Sequence, residues 1–227
     1  MQEKNEPLIG GAISGAQTIA ITLNVTAGTT PTPSIQTITN AASADQSKLV
    51  AGSLATVMGS NFAGHNVSVT FDGTPATLVY TDAQQINLQV PPALSANASA
   101  NVVVSVDGNN SPAKVVQLAA SAPAIFNGGV LNQDYSGNSA TNPAAAGSVL
   151  QIWATGLPSS GKITAVINGQ TIDSPYYAGA APGITGVQQV DLFVPAGLSG
   201  AQTTVTVCGS TGNGQPVCSA SQRVWIQ

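Results

Sequence analysis

Apolar and polar residues alternate along most of this chain. Ile19, Ile21, Leu23 and Val25 form one such run, and Val67, Val69 and Phe71, then Ile86, Leu88 and Val90, then Val102, Val104 and Val106 form others. Val190, Leu192 and Val194, followed by Val205 and Val207, continue the pattern towards the end. A period of two places the apolar members of a run on one face of a pleated strand, so each run predicts a half-buried β-strand. Between the runs stand Asp72-Gly73, Asp107-Gly108, Asn168-Gly169 and Asn213-Gly214, pairs that tolerate the positive φ angles of tight hairpin turns. No window sustains helical spacing, and the alanine-rich pieces at 143–146 and 178–182 are cut by Pro and Gly. The predicted class is all-β, with almost no helix.

The strands repeat as a set. Segment 51–59 (AGSLATVMG) reads like 146–154 (AGSVLQIWA), 69–73 like 165–169, and 84–91 (QQINLQVP) like 188–195 (QQVDLFVP), always in the same order. Segment 105–108 then aligns with 206–209. The spacing between copies widens before the 188–195 strand, which predicts extra residues around 176–184 in the second copy. A unit of about 100 residues built from short strands is the size of an immunoglobulin-like sandwich. The expected organisation is an N-terminal arm at 1–33, a first sandwich at 34–126 and a second at 127–227.

Composition narrows the function classes. Only 6% of the 227 residues are charged, against about 25% in ordinary soluble proteins. The net charge of −4 includes no basic patch able to neutralise a row of phosphates, so nucleic acid is not an expected partner. The uncharged stretch 7–44 is interrupted by Gln17, Thr18, Asn24, Thr26, Pro31 and Pro33, so no membrane insertion is expected. Residues 1–13 do not read as a basic, then apolar, export leader.

Chemistry-bearing residues are sparse. His65 is the only histidine and sits in a predicted loop, with no second His to act as a base. The aspartates are scattered singly at turns, where their oxygens accept local backbone bonds. Segments 107–110 and 134–138 carry oxygen ligands of the kind Ca²⁺ takes, but neither approaches an EF-hand loop. No catalytic residue, cofactor or metal site is expected. Cys208 and Cys218 flank a turn-rich segment and either close a disulfide across a hairpin, the preferred reading, or remain two buried thiols. Trp153 replaces Met58 of the first copy in a strand and is read as core. Trp225 alternates with Val224 and Ile226 near the end of the last strand. Tyr176 and Tyr177 fall in the second copy's extra segment, where an aromatic pair either stacks on sugar rings or packs beneath its own loop. Sequons open at Asn24, Asn66, Asn97 and Asn109.

The opening 51–62 (AGSLATVMGSNF), the hairpin 69–76 (VTFDGTPA) and the strand 84–91 resemble IPT/TIG-type immunoglobulin-like modules. With 35–43 (IQTITNAAS), 122–126 (APAIF), 130–133 (VLNQ), 142–145 (NPAA) and 177–183 (YAGAAPG), the chain is similar to a tandem domain that closes many large secreted soil-bacterial proteins. That resemblance covers about residues 34–227. It implies an extracellular or cell-surface, non-catalytic bacterial module, with no catalytic or ligand residues to carry over.

The arm lies outside both repeats. Ile19, Ile21, Leu23 and Val25 share one face of a strand, followed by an extended Pro/Thr linker at 27–34. Such a strand needs an edge or groove for its apolar face and its backbone donors. Three placements are open: the last strand of a preceding domain, an extra strand in its own sandwich, or a strand donated to the next subunit so that head-to-tail contacts form a homopolymer. The expected function is therefore a non-catalytic extracellular structural or adhesive protein joined through this arm. The alternative is a carbohydrate- or protein-binding accessory module of a larger secreted protein.

Overall fold

The structure, a computed structural model, describes residues 31–46, 48–96, 98–198, 203–212 and 214–227. The expected arm strand (Ile19, Ile21, Leu23, Val25), the turn residue Asn213 and the sequon residues Asn24 and Asn97 lie outside the described residues.

The described residues carry strands and no helix. The first ten strands are β1 (Ser34–Asn40), β2 (Leu49–Val50), β3 (Leu54–Ser60), β4 (Val67–Phe71), β5 (Thr74–Pro75), β6 (Thr77–Thr81), β7 (Gln85–Gln89), β8 (Ser99–Val106), β9 (Asn109–Asn110) and β10 (Lys114–Ala119). They form two sheets, ordered β1-β3-β7-β6 and β2-β10-β8-β4-β5, with β9 paired to β8. The next nine are β11 (Ala124–Leu131), β12 (Val149–Thr155), β13 (Lys162–Ile167), β14 (Gln170–Ile172), β15 (Tyr177–Ala180), β16 (Gln188–Phe193), β17 (Thr204–Ser210), β18 (Val217–Cys218) and β19 (Gln222–Arg223). Their sheets run β11-β12-β16-β15 and β14-β13-β17-β18, with β19 paired to β17. The order of the first four-stranded sheet is thus repeated in the second. The parallel pairing of β2 with β10 is echoed by a parallel bridge between Ala144 and Ile226.

Each sandwich closes over its own core because the period-two runs supply one apolar face to each sheet. Val57, Phe62, Phe71, Ile86, Leu88 and Val102 are buried in the first, and Leu150, Ile152, Ile167, Leu192, Val205 and Val224 in the second. Asp72-Gly73, Asp107-Gly108 and Asn168-Gly169 all take positive φ at both residues, the geometry of type I′ hairpin turns. The division expected at 126/127 falls inside β11, whose Ala124 and Ile125 already pair with Thr155 and Ala154 of the second sandwich.

The two sandwiches meet through a small set of buried polar bonds. Thr155, fully buried, accepts a hydrogen bond from the Leu54 amide at 2.8 Å and donates one to the Gly186 carbonyl at 2.8 Å. Asn40, also buried, donates from Nδ2 to the Ala122 carbonyl at 3.2 Å, while its Oδ1 accepts the Ala42 amide at 2.9 Å. The Ala122 amide in turn donates to the Gly156 carbonyl at 2.9 Å. Gly156 (φ +80°) and Gly186 (φ +74°) let the backbones approach this closely: a Cβ on Gly156 would lie 2.1 Å from the Ala122 carbonyl oxygen, and one on Gly186 would crowd Leu54.

Replacing Thr155 by Val keeps the shape and removes the hydroxyl, stranding one donor and one acceptor at the junction. A loss of roughly 2–4 kcal/mol of unfolding free energy is expected in urea titration, with Thr155→Ser, which retains the oxygen, losing much less.

Candidate functional site

The four-stranded sheet of the second sandwich presents two very different faces. Leu150, Ile152 and Ala154 of β12 and Val190 and Leu192 of β16 point into the core and are fully buried. The intervening residues face outwards in register: Val149 opposite Phe193, Gln151 opposite Asp191, and Trp153 opposite Gln189. On the edge strand Tyr177 stands opposite Asp191 and Gly179 opposite Gln189, and on the other side Leu131 stands opposite Gln151. Tyr177, Asp191, Gln151 and Leu131 therefore form one row across all four strands.

Tyr176 and Tyr177 both reach this side of the sheet region, but in different ways. Tyr176, 70% exposed, packs its ring edge-on against Phe193 with centroids 5.2 Å apart, and Phe193 is itself 53% exposed. Tyr177 is not on a loop: it begins β15, and its hydroxyl donates to the Ala180 carbonyl at 2.6 Å. The second copy's extra residues lie on both sides of this short strand, in the connection from β14 and in the turn leading to β16. Trp153 is also not core. The core positions of β12 are its even-numbered residues, so Trp153 falls on the outer face, half-buried, just as Met58 of the first copy is exposed.

The polar members of the outer face are unusually enclosed. Gln151, Gln189 and Asp191 are 6%, 8% and 9% exposed. Gln189 donates from Nε2 to both carboxylate oxygens of Asp191, at 2.9 and 3.0 Å. Gln151 Oε1 and Trp153 Nε1 are buried and have no hydrogen-bond partner. Burial pushes the Asp191 carboxyl above the usual carboxylate range, and the Gln189 amide pulls it only part of the way back. By contrast, the turn carboxylates Asp72, Asp82 and Asp107 accept backbone N–H bonds that hold them below that range.

The remaining sequence candidates lie elsewhere. His65 is exposed in a loop, its amide donating to Asp107. Cys208 and Cys218 are register partners on β17 and β18 and form a disulfide, which resolves the two alternatives the sequence left open. Closing that short loop adds about 2.7 kcal/mol by chain entropy. Trp225 is half-buried, with the Arg223 guanidinium 5.9 Å from its ring centre. Among the described residues, no cluster of three or more His, Cys, Asp or Glu is placed to hold a metal ion, and no helix is long and apolar enough to cross a membrane. A cleft of about 490 Å³ opens between the sandwiches, lined by Pro92, Pro158, Ile163, Gly179 and Ile184.

A sequence model of the family described as the IPT/TIG domain matches residues 33–119, from the entry to β1 through the last residue of β10. The first sandwich is an IPT/TIG domain. The second sandwich repeats the IPT/TIG domain's four-stranded sheet outside the matched residues. Among solved structures, the chain is similar to SGBP-B of the Bacteroides ovatus mixed-linkage glucan utilization locus, in complex with a mixed-linkage heptasaccharide (20% identity, TM-score 0.42, 79% of this chain and 42% of that one). It is also similar to a gamma-CGTase from an alkalophilic Bacillus clarkii (15%, TM-score 0.34, 88% and 26%). A third is the N-terminal Ig1-2 module of the Drosophila receptor protein tyrosine phosphatase DLAR (12%, TM-score 0.27, 87% and 100%). The chain spans less than half the length of the first two. No curated protein matches the sequence.

The raised Asp191 carboxyl fixes the sign of a pH effect. The folded chain holds this proton to higher pH than the unfolded chain does. The site's contribution to stability is therefore greatest below the ordinary value of 3.8 and is lost as pH rises through the folded-state value. Asp191→Asn, which still accepts one bond from Gln189, is expected to melt higher than the parent at pH 7, and the difference should shrink at pH 3 in paired thermal unfolding scans.

Proposed function

We propose that this chain is a non-catalytic extracellular binding module, displayed at or released from a bacterial cell, whose second sandwich contacts carbohydrate through Tyr176 and Tyr177. The observation that carries this reading is the exposed Tyr176 ring braced edge-on by an exposed Phe193. Large aromatic rings left in water cost free energy unless something covers them, and a ring braced against a second ring loses less conformational freedom when a sugar stacks on it. The disulfide supports the location, since such bonds form and persist in oxidising compartments. The scarcity of charge supports a role in close contact, where few ions need to be stripped of water. Tyr176→Ala/Tyr177→Ala is expected to lose at least tenfold in apparent affinity for the best ligand of the unmodified protein on a glycan array. Equal signal from both proteins would refute the aromatic contact.

A second reading concerns the arm. The alternation of Ile19, Ile21, Leu23 and Val25 favours a strand that adds to the edge of another subunit, giving a structural or adhesive homopolymer. Each sandwich has both of its sheets built from its own strands, so a donated strand would extend an edge such as β15 or β6. Removing residues 1–33 should then convert assemblies to monomers in light scattering and abolish fibres in negative-stain microscopy; unchanged assembly would exclude the arm as the joint.

A further inference from the structure

We infer that the cleft between the swollen middle of β11 and the Arg223–Trp225 pair binds an acidic sugar, with the Arg223 guanidinium taking the carboxylate of a uronate. This site stands apart from the tyrosine contact above. β11 and β15 are opposite edges of one sheet, and neither Tyr176 nor Tyr177 lines the cleft. Three observations converge. First, the fold leaves a space here. Pairing of β11 with β12 breaks between Ile125 and Val130, so residues 126–129 swell away opposite Trp153 alone, with Gly128 at φ +70°. Asn127 and Gly128 of this swelling line a cleft of about 250 Å³ together with Gln222, Arg223 and Trp225. Pockets that enclose drug-sized ligands hold about 300–1,000 Å³, so this one suits a single ring of a chain that runs on into solvent. Second, the charge in the cleft is positive and unspent. Arg223 is exposed and meets no carboxylate among the described residues, and no residue lining the cleft is acidic. Lys162, by contrast, is paired with Asp173, and Lys114 donates to the Gln36 carbonyl. A planar guanidinium presents its donors as a fork that matches both oxygens of a carboxylate. Third, the groups are held in place. The guanidinium lies 5.9 Å from the Trp225 ring centre, and Arg223 pairs with Thr204 across β19 and β17. Asn138 clamps the Trp225 backbone, accepting its N–H at 2.8 Å and donating to its carbonyl at 2.9 Å. The side-chain amides of Asn127 and Gln222 make no hydrogen bond to another described residue, and an amide both donates and accepts, as ring hydroxyls require. A peptide C-terminus would also bring a carboxylate, but its last side chain would find no apolar lining except Val130 and Trp225. The cleft therefore favours a sugar, whose C–H face suits the indole and whose hydroxyls suit the amides.

The test is affinity electrophoresis and calorimetry of the full chain at pH 7 with polygalacturonate, alginate and hyaluronate as uronate probes. The esterified form of each blocks the carboxylate, and a short peptide with a free or an amidated C-terminus represents the other source of that group. At least one uronate polymer is expected to bind the parent, more weakly as salt is added, and its ester is expected not to bind. Arg223→Gln, which removes both charge and fork, should weaken the preferred uronate at least about tenfold. Arg223→Lys, which keeps the charge alone, should fall between the two. Both variants should melt close to the parent, because the side chain is exposed and the backbone pairing is kept. Tyr176→Ala/Tyr177→Ala should leave uronate binding unchanged. Loss of uronate binding in that double variant, with Arg223→Gln binding as the parent does, would overturn this site and leave the tyrosine contact standing. Equal binding of acid and ester would overturn the role given to the carboxylate. Binding of the free-acid peptide without any uronate would overturn the sugar assignment, and failure of all three uronates to bind the parent would overturn the inference as a whole.

Discussion

A pleated strand commits each side chain to one face, and this protein is built almost entirely from that commitment. With few charged residues to cover its exterior, the chain relies on strict alternation to decide which positions meet water and which meet the opposite sheet. The consequence is clearest on β12 and β16, where Leu150, Ile152, Val190 and Leu192 are fully buried in the core while Gln151, Trp153, Gln189 and Asp191, one residue away, occupy the other side. A shift of register by a single residue would bring the carboxylate into the core and turn the leucines out, so the pairing is held by the whole apolar set at once.

That second face sets this sheet apart. An outward sheet face is ordinarily solvated, and its polar groups need no partner other than water. Here three polar side chains are enclosed, two polar atoms are left unpaired, and the aromatics Trp153, Tyr176 and Phe193 stand at the ends. The corresponding strand of the IPT/TIG sandwich, β3, carries Thr56, whose hydroxyl donates to Asn87 on β7, and Met58 on the equivalent face. The two copies thus share a framework and differ in what the framework displays. Divergence on one face is tolerated because the other face alone secures the core.

The junction works by a different device. Loops between tandem domains often leave them free to move, but here the segment after β10 is drawn in: Asn40 bonds to Ala122, Ala122 to Gly156, and Thr155 bridges Leu54 and Gly186. These bonds use backbone groups of both sandwiches, and the glycines that permit the approach lie at positive φ. The result is a pair of sandwiches joined by directional contacts rather than by a bare tether.

Much of this architecture is legible in the amino-acid sequence. Alternation gave the strands, the Asp-Gly and Asn-Gly pairs gave three hairpins with the expected backbone geometry, and the internal repeat gave the tandem, because each of these signals is local and follows from chain geometry. The sequence also brought out Cys208 and Cys218 as a pair and Tyr176 and Tyr177 as aromatics of the extra segment. It misplaced Trp153 in the core, since a lone tryptophan in an apolar run does not reveal which parity of the strand faces inwards, and it set Tyr177 in a loop because β15 is only four residues long. Nothing in the sequence joined Gln151 to Asp191 or Thr155 to Leu54. Those meetings depend on which strands lie side by side and how two sandwiches abut, and residues far apart along a chain become neighbours only when the sheets close.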